Sequence, residues 1–180
     1  PVLVIAAVAC MAASVALILF ATRPPSTVAH LAFAAGILPL IFGAMMHFVP
    51  VLTRSRVPPP TMRLLPFFAS GAGLLGASTF YLRGPAGAGI QVGAVLTFVA
   101  AVILSGWSVG RGRGALGSPH PCLYWYLAAL LCLVLALVAV FAMNVLPSQH
   151  AALRIFHLHL NTLGFIGLTA IGTVQVLLPT

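Results

Sequence analysis

The chain has 180 residues, 62% of them hydrophobic and 4% charged; its eight basic residues are all arginines, and it contains no aspartate or glutamate. Without a carboxylate it has no oxygen cage for Ca²⁺ or Mg²⁺, no carboxylate pair for acid–base catalysis, and no Asp or Glu relay of the kind many pumps use. A formal net charge of +8 would point to nucleic acid in a soluble chain, but these arginines lie at the ends of apolar runs, where lipid headgroups and loop solvation account for them, so no nucleic-acid partner is expected.

Six apolar runs are long enough for a bilayer core, which takes roughly 20 residues of helix: about residues 1–22, 28–53, 64–82, 87–108, 123–146 and 151–178. They are continuous, without the alternation of a barrel. The expected fold is therefore all-α, a polytopic integral membrane bundle of six transmembrane helices forming a single domain over 1–180. The first run lacks the basic start of a signal peptide and is followed by further spans, so it is a true helix. The chain opens on Pro1 and stops just after LLPT, as a piece of something longer would.

Counting spans puts the chain start and the loops RSRVPPPTMR and GRGRGALGSPHP on one face, with Arg54, Arg56, Arg63, Arg111 and Arg113. The other face takes ATRPPST, LRGPAG and PSQHAALR, with Arg23, Arg83 and Arg154. The positive-inside rule then places the first face, and the start of the first helix, in the cytoplasm, and the protein in a cell (inner) membrane.

The second run carries His30 near its outer start and His47 near its inner end. Small-residue stretches in the third and fourth runs, SGAGLLGAS, GAGIQVG and GWSVG, offer close packing within the chain or between copies of it. His120 falls in an inner loop, where a solvated role is the simplest. Cys10, Cys122 and Cys132 are far apart with no C-x-x-C, which suits buried structural thiols.

The sixth run begins with HAALRIFHLHLN, and its polar residues divide between two faces. His150, Arg154, His157 and Asn161 follow the i, i+3, i+4, i+7 spacing of one stripe, whereas His159 shares another with Leu163 and Ile166. His30, His150, His157 and His159 thus gather at the outer face. Polar groups at membrane depth are costly and usually face the bundle interior for a reason.

An internal match links the second and sixth runs. His30, Leu31, Gly43 and Pro50 align with His159, Leu160, Gly172 and Pro179 at identical offsets. Two histidines at similar depth on two spans of the same direction could ligate a haem iron from both sides or share a copper. Asn161 could fix the tautomer of either ring on its helix. With no internal acid, Arg154, Arg23 and Arg83 suit haem propionates, or else snorkel to lipid phosphate.

The stretch AHLAFAAGILPLIFGAMMHFVPVL resembles the second helix of subunit I of haem-copper oxidases, in which an outer-end His ligates the low-spin haem and the helix closes on a similar F-V-P-L. The sixth run, with R-x-x-H at Arg154–His157, H-x-N at His159–Asn161 and a terminal L-L-P, resembles the corresponding haem helix of the nitric-oxide-reductase branch and of NnrS-type membrane proteins, which are haem- and copper-associated. The resemblance implies His30 as one haem ligand. It implies His157 by R-x-x-H or His159 by H-x-N, and the internal match favours His159. A full oxidase has about twelve helices, a three-histidine copper cluster and usually carboxylates for proton uptake, a set not assembled from this sequence, so the resemblance does not extend to O₂ reduction and pumping.

The resulting expectation is a b-type haem near the outer leaflet, held by His30 and by His159 or His157, with Arg154 and Asn161 beside it. Electron transfer or binding of a diatomic gas such as NO is the expected role, with an oxidoreductase component left open. Membrane lipid, a redox partner protein or quinol, and a second copy of the chain are the partners such a role admits. Two alternatives stay open: a copper site built from the same histidines with Met45 and Met46, and a non-metal transporter or assembly subunit.

Overall fold

A computed structural model describes residues 1–20, 24–83 and 87–178, with only the backbone of Arg83. Arg23, the side chain of Arg83 and Pro179 lie outside the described residues. Among the described residues every regular element is helical, and six helices are long and apolar enough to cross a membrane. They are α1 (Val2–Phe20), α2 (Pro25–Leu52), α3 (Pro60–Leu82), α4 (Ala88–Arg113), α5 (Cys122–Val145) and α6 (Pro147–Leu177).

Boundaries shift for local reasons. Helices α2, α3 and α6 begin on prolines, whose fixed φ suits a first turn that has no use for the missing N–H. Helix α4 runs past its expected end near 108 because Gly110 and Gly112 keep helical backbone; the left-handed turn comes only at Gly117, with φ 82°. Hydroxyls within the spans donate to carbonyls four residues back in their own helix, as Ser14, Thr79, Thr97, Ser105, Thr169 and Thr173 do. This satisfies them within their own helix.

The chain packs as two compact units, Pro1–Gly43 with Pro59–Ala100, and Ala44–Pro58 with Ala101–Thr180. In the first, α2 leaves α-geometry for a π-helical stretch over His30–Ile37. Pro39 explains the break: it has no N–H to offer the carbonyl of Ala35, four residues back, and its ring crowds that carbonyl. A hydroxyl from α3 supplies the missing donor, Ser70 Oγ to Ala35 O at 3.1 Å. The two backbones are close enough there that a Cβ on Gly73 would collide with the peptide between Ala34 and Ala35. Glycine is required at that crossing.

In the second unit α6 also carries a π-helical stretch, Leu160–Gly167, and it contains no proline. Two side chains donate to carbonyls just before it: Asn161 Nδ2 to His157 O at 2.8 Å and Thr162 Oγ1 to Leu158 O at 2.9 Å. Equivalent bonds leave α-geometry intact at Thr79, Thr97 and Thr169, so these two accompany the stretch without explaining it. Helix α5 packs along the stretch, and Gly164 leaves room for Cys132. Farther along, Tyr126 of α5 and Thr173 of α6 share a hydroxyl hydrogen bond of 2.9 Å.

The Pro39–Ala35–Ser70 arrangement makes a testable coupling. Ser70→Ala leaves a carbonyl short of a donor and is expected to cost about 1–3 kcal/mol. The loss should shrink in a Pro39→Ala background, where the backbone N–H returns. Gly73→Ala should destabilise by about 1–3 kcal/mol through backbone overlap, while Gly71→Ala, where a Cβ meets nothing within 4 Å, should be neutral or stabilising. Thermal unfolding of these variants, with Pro39→Ala as the reference for the double change, in one detergent checks the order.

Candidate haem-ligand histidines

The polar residues predicted at the outer ends of α2 and α6 are best taken one unit at a time. In the first, His30 opens the π-helical stretch of α2 and is half-buried. Its Nδ1–H donates to Ser26 O, one turn back, at 2.8 Å. The ring leans on Phe80 of α3, with centroids 4.6 Å apart and planes tilted by 41°. Gly76, one turn before Phe80, keeps this side of α3 low enough for the imidazole to lie against it.

In the second unit His159 repeats the local arrangement. Its Nδ1–H donates to Ile155 O, again one turn back at 2.8 Å, and the π-helical stretch begins at the next residue. The ring is exposed, on the same side of α6 as the exposed Leu163. His157 behaves differently: it is half-buried, and its Nδ1–H crosses to Ala136 O of α5 at 2.8 Å.

Asn161 joins His157 as the stripe predicted, but its amide is fastened to the His157 carbonyl and stands 3.4 Å from both ring nitrogens. The shorter bond to Ala136 O sets the His157 tautomer, not Asn161. Arg154 and His150, placed on the same stripe, are both exposed; of that stripe, the structure brings only His157 and Asn161 together.

A carbonyl can only accept, so in each of these three bonds the imidazole proton is on Nδ1. A neutral ring with that proton carries its lone pair on Nε2. This is the state in which a histidine binds a metal through Nε2 while a backbone carbonyl orients it from the other side.

The internal match of α2 with α6 extends beyond the histidines. Both carry the i−4 imidazole bond, and both carry eight residues of π-helix beginning at or just after the histidine. Thirteen residues on, Gly43 and Gly172 each seat the preceding helix: an added Cβ would meet Leu3 of α1 at 3.0 Å in one case and Trp125 of α5 at 2.9 Å in the other.

Among the described residues no three His or Cys side chains converge as a metal site. Met45 and Met46 are both buried in packing, with exposures of 0% and 6%. The three cysteines are free thiols, Cys122 buried and Cys10 and Cys132 half-buried.

The π-helical stretches, the Ala136 carbonyl and the Phe80 stack were not foreseen from sequence. Only Pro39 carried a signal for one of them. Compared with known protein families, curated proteins and solved structures, the chain matches none.

The two histidines of α6 should separate in stability. Replacing His157 with leucine removes a partly buried ring and its bond to α5, for an expected loss of about 1–2 kcal/mol. The same change at the exposed His159 should stay within about 0.5 kcal/mol. Unfolding midpoints at fixed detergent concentration measure the difference.

Proposed function

We propose that this is a multi-pass membrane protein that binds b-type haem through imidazole Nε2 atoms, with His30 of α2 and His159 or His157 of α6 as ligands. The observation that carries the reading is the shared Nδ1–H to backbone-carbonyl bond of all three rings, 2.8 Å in each case. It orients an unprotonated Nε2 without any carboxylate, in a chain that has none. Haem suits such a protein better than a copper cluster does, because the porphyrin supplies four of the iron's bonds and the chain need provide one or two.

Of the two α6 histidines, His159 is favoured. Its equivalence to His30 now includes the intrahelical bond and the π-helical stretch, and its ring is exposed, whereas the His157 ring packs against α5. Arg154, one turn before His157 and exposed, offers a guanidinium for a propionate. Asn161 holds the backbone at His157. Haem would supply a one-electron couple, or, with an open iron position, a site for a diatomic gas such as NO.

The role proposed is electron transfer or gas binding, with a quinol or redox protein as electron partner. The excess of arginines on the face where α1 starts supports a cytoplasmic start in an inner membrane.

Absorbance of the full chain purified from haem-replete cells is the test. A Soret band that weakens in His30→Ala and in His159→Ala, and shifts on dithionite reduction, is the expected result. Absence of the band, or a band unchanged in His30→Ala, His157→Ala and His159→Ala alike, would end the haem assignment.

A further inference from the structure

Within the second unit a cleft lies where α2 ends, α5 begins and α6 ends, at the opposite end of α6 from His157 and His159. It is an open cleft of about 500 Å³, and Arg54, Ser118 and His120 are exposed at it. Val51, Pro121 and Val176 give it apolar walls, and Arg54, Ser118 and His120 give it polar ones.

Arg54 is held there in an uncommon way. Helix α2 closes in a left-handed turn, with Ser55 N–H donating to Pro50 O at 2.9 Å and Arg54 N–H to Val51 O at 3.3 Å. The residue at the left-handed position of such a turn is usually glycine. Here it is Arg54, with φ 49°, and among the described residues no other non-glycine has positive φ. Thr53 and Ser55 brace the turn: Thr53 Oγ1 donates to Val49 O at 2.7 Å and lies 2.9 Å from Ser55 Oγ.

His120 is fixed from both sides. Its N–H donates to Leu52 O at 2.9 Å, which ties the loop to the end of α2. Its Nδ1 accepts the N–H of Cys122 at 3.2 Å. The neutral ring therefore carries its proton on Nε2, the reverse of His30, His157 and His159, and presents a donor. A guanidinium, an imidazole N–H and a hydroxyl line one cavity, in a chain with no aspartate or glutamate to answer them.

We infer that this cavity binds the phosphate of an anionic amphiphile, with Arg54 and His120 on the phosphate oxygens and the apolar walls against the start of its hydrocarbon. Arginine favours phosphate through paired, charge-assisted bonds. The cavity lies where three apolar helices end, the level of headgroups for a chain that spans a bilayer. This differs from an arginine on a freely moving loop, because hydrogen bonds at Pro50, Val51 and Leu52 fix the backbone of Arg54 and of His120 on the same site.

The test is native mass spectrometry of the full chain in detergent, titrated with dioleoylphosphatidylglycerol and, in parallel, with dioleoylglycerol, which lacks the phosphate. Retention of the phospholipid over the diglyceride is expected. Arg54→Gly removes the guanidinium and relieves the left-handed backbone, so it keeps the fold; it should weaken phospholipid binding at least tenfold. Arg54→Lys should lose less, His120→Ala should weaken binding severalfold, and Arg113→Gly, at the exposed end of α4, should change nothing.

Competition by glycerol 1-phosphate tells the source. Displacement at millimolar concentration identifies a soluble phosphate ester as a sufficient ligand, and its failure identifies the lipid; either supports the phosphate site. Equal binding of dioleoylglycerol, or unchanged phospholipid affinity in both Arg54→Gly and His120→Ala, overturns it.

Discussion

Among the described residues six helices are long and apolar enough to cross a membrane, where every backbone carbonyl has to be satisfied from within the protein, and two of them show how that is done where the regular ladder fails. In α2 the ladder fails at Pro39, and Ser70 of the neighbouring helix donates to the carbonyl that Pro39 cannot reach. In α6 a second π-helical stretch has no proline in it, and Asn161 and Thr162 add side-chain donors to the His157 and Leu158 carbonyls just before it. The histidines belong to the same scheme. Each of His30, His157 and His159 gives its Nδ1 proton to a main-chain carbonyl, and the direction of that bond decides which ring nitrogen keeps a lone pair.

From that one constraint comes the chemical character of the histidine-bearing segments of α2 and α6. In many metalloproteins a carboxylate orients the imidazole; this chain has no carboxylate side chain, and backbone carbonyls accept the Nδ1 protons of His30, His157 and His159. π-Helical turns recur at functional sites, and here one accompanies each histidine of the internal match. His120 at the other end of the second unit shows how local the control is. There a backbone N–H meets Nδ1 instead of a carbonyl, and the same side chain becomes a donor at Nε2.

Much of the fold is legible in the residues because apolar run length and proline-rich loops carry it directly. The six spans and the pairing of His30 with His159 in the internal match come from composition and offset alone. What stays hidden is geometric. An eight-residue π-helical stretch leaves no periodicity in a segment that is apolar on all sides, such as HLAFAAGI. Stripe reasoning in α6 joins His157 to Asn161 correctly, yet it assumes 100° per residue through a region that widens, and it cannot reveal that Ala136 of another helix receives the His157 proton. Arg54 gives no warning at all, since nothing in VLTRSRV marks a left-handed residue where glycine is usual.

The most direct measurement of the central claim is the tautomer itself, read from ¹⁵N spectra of the full chain labelled at histidine, with each ring assigned by single substitution. The account requires neutral His30, His157 and His159 to carry the proton on Nδ1 with Nε2 unprotonated, and His120 to show the opposite. Protonation at Nε2 in His30 and His159 would contradict it, because those rings would then have no lone pair to offer a metal on the side turned away from the backbone.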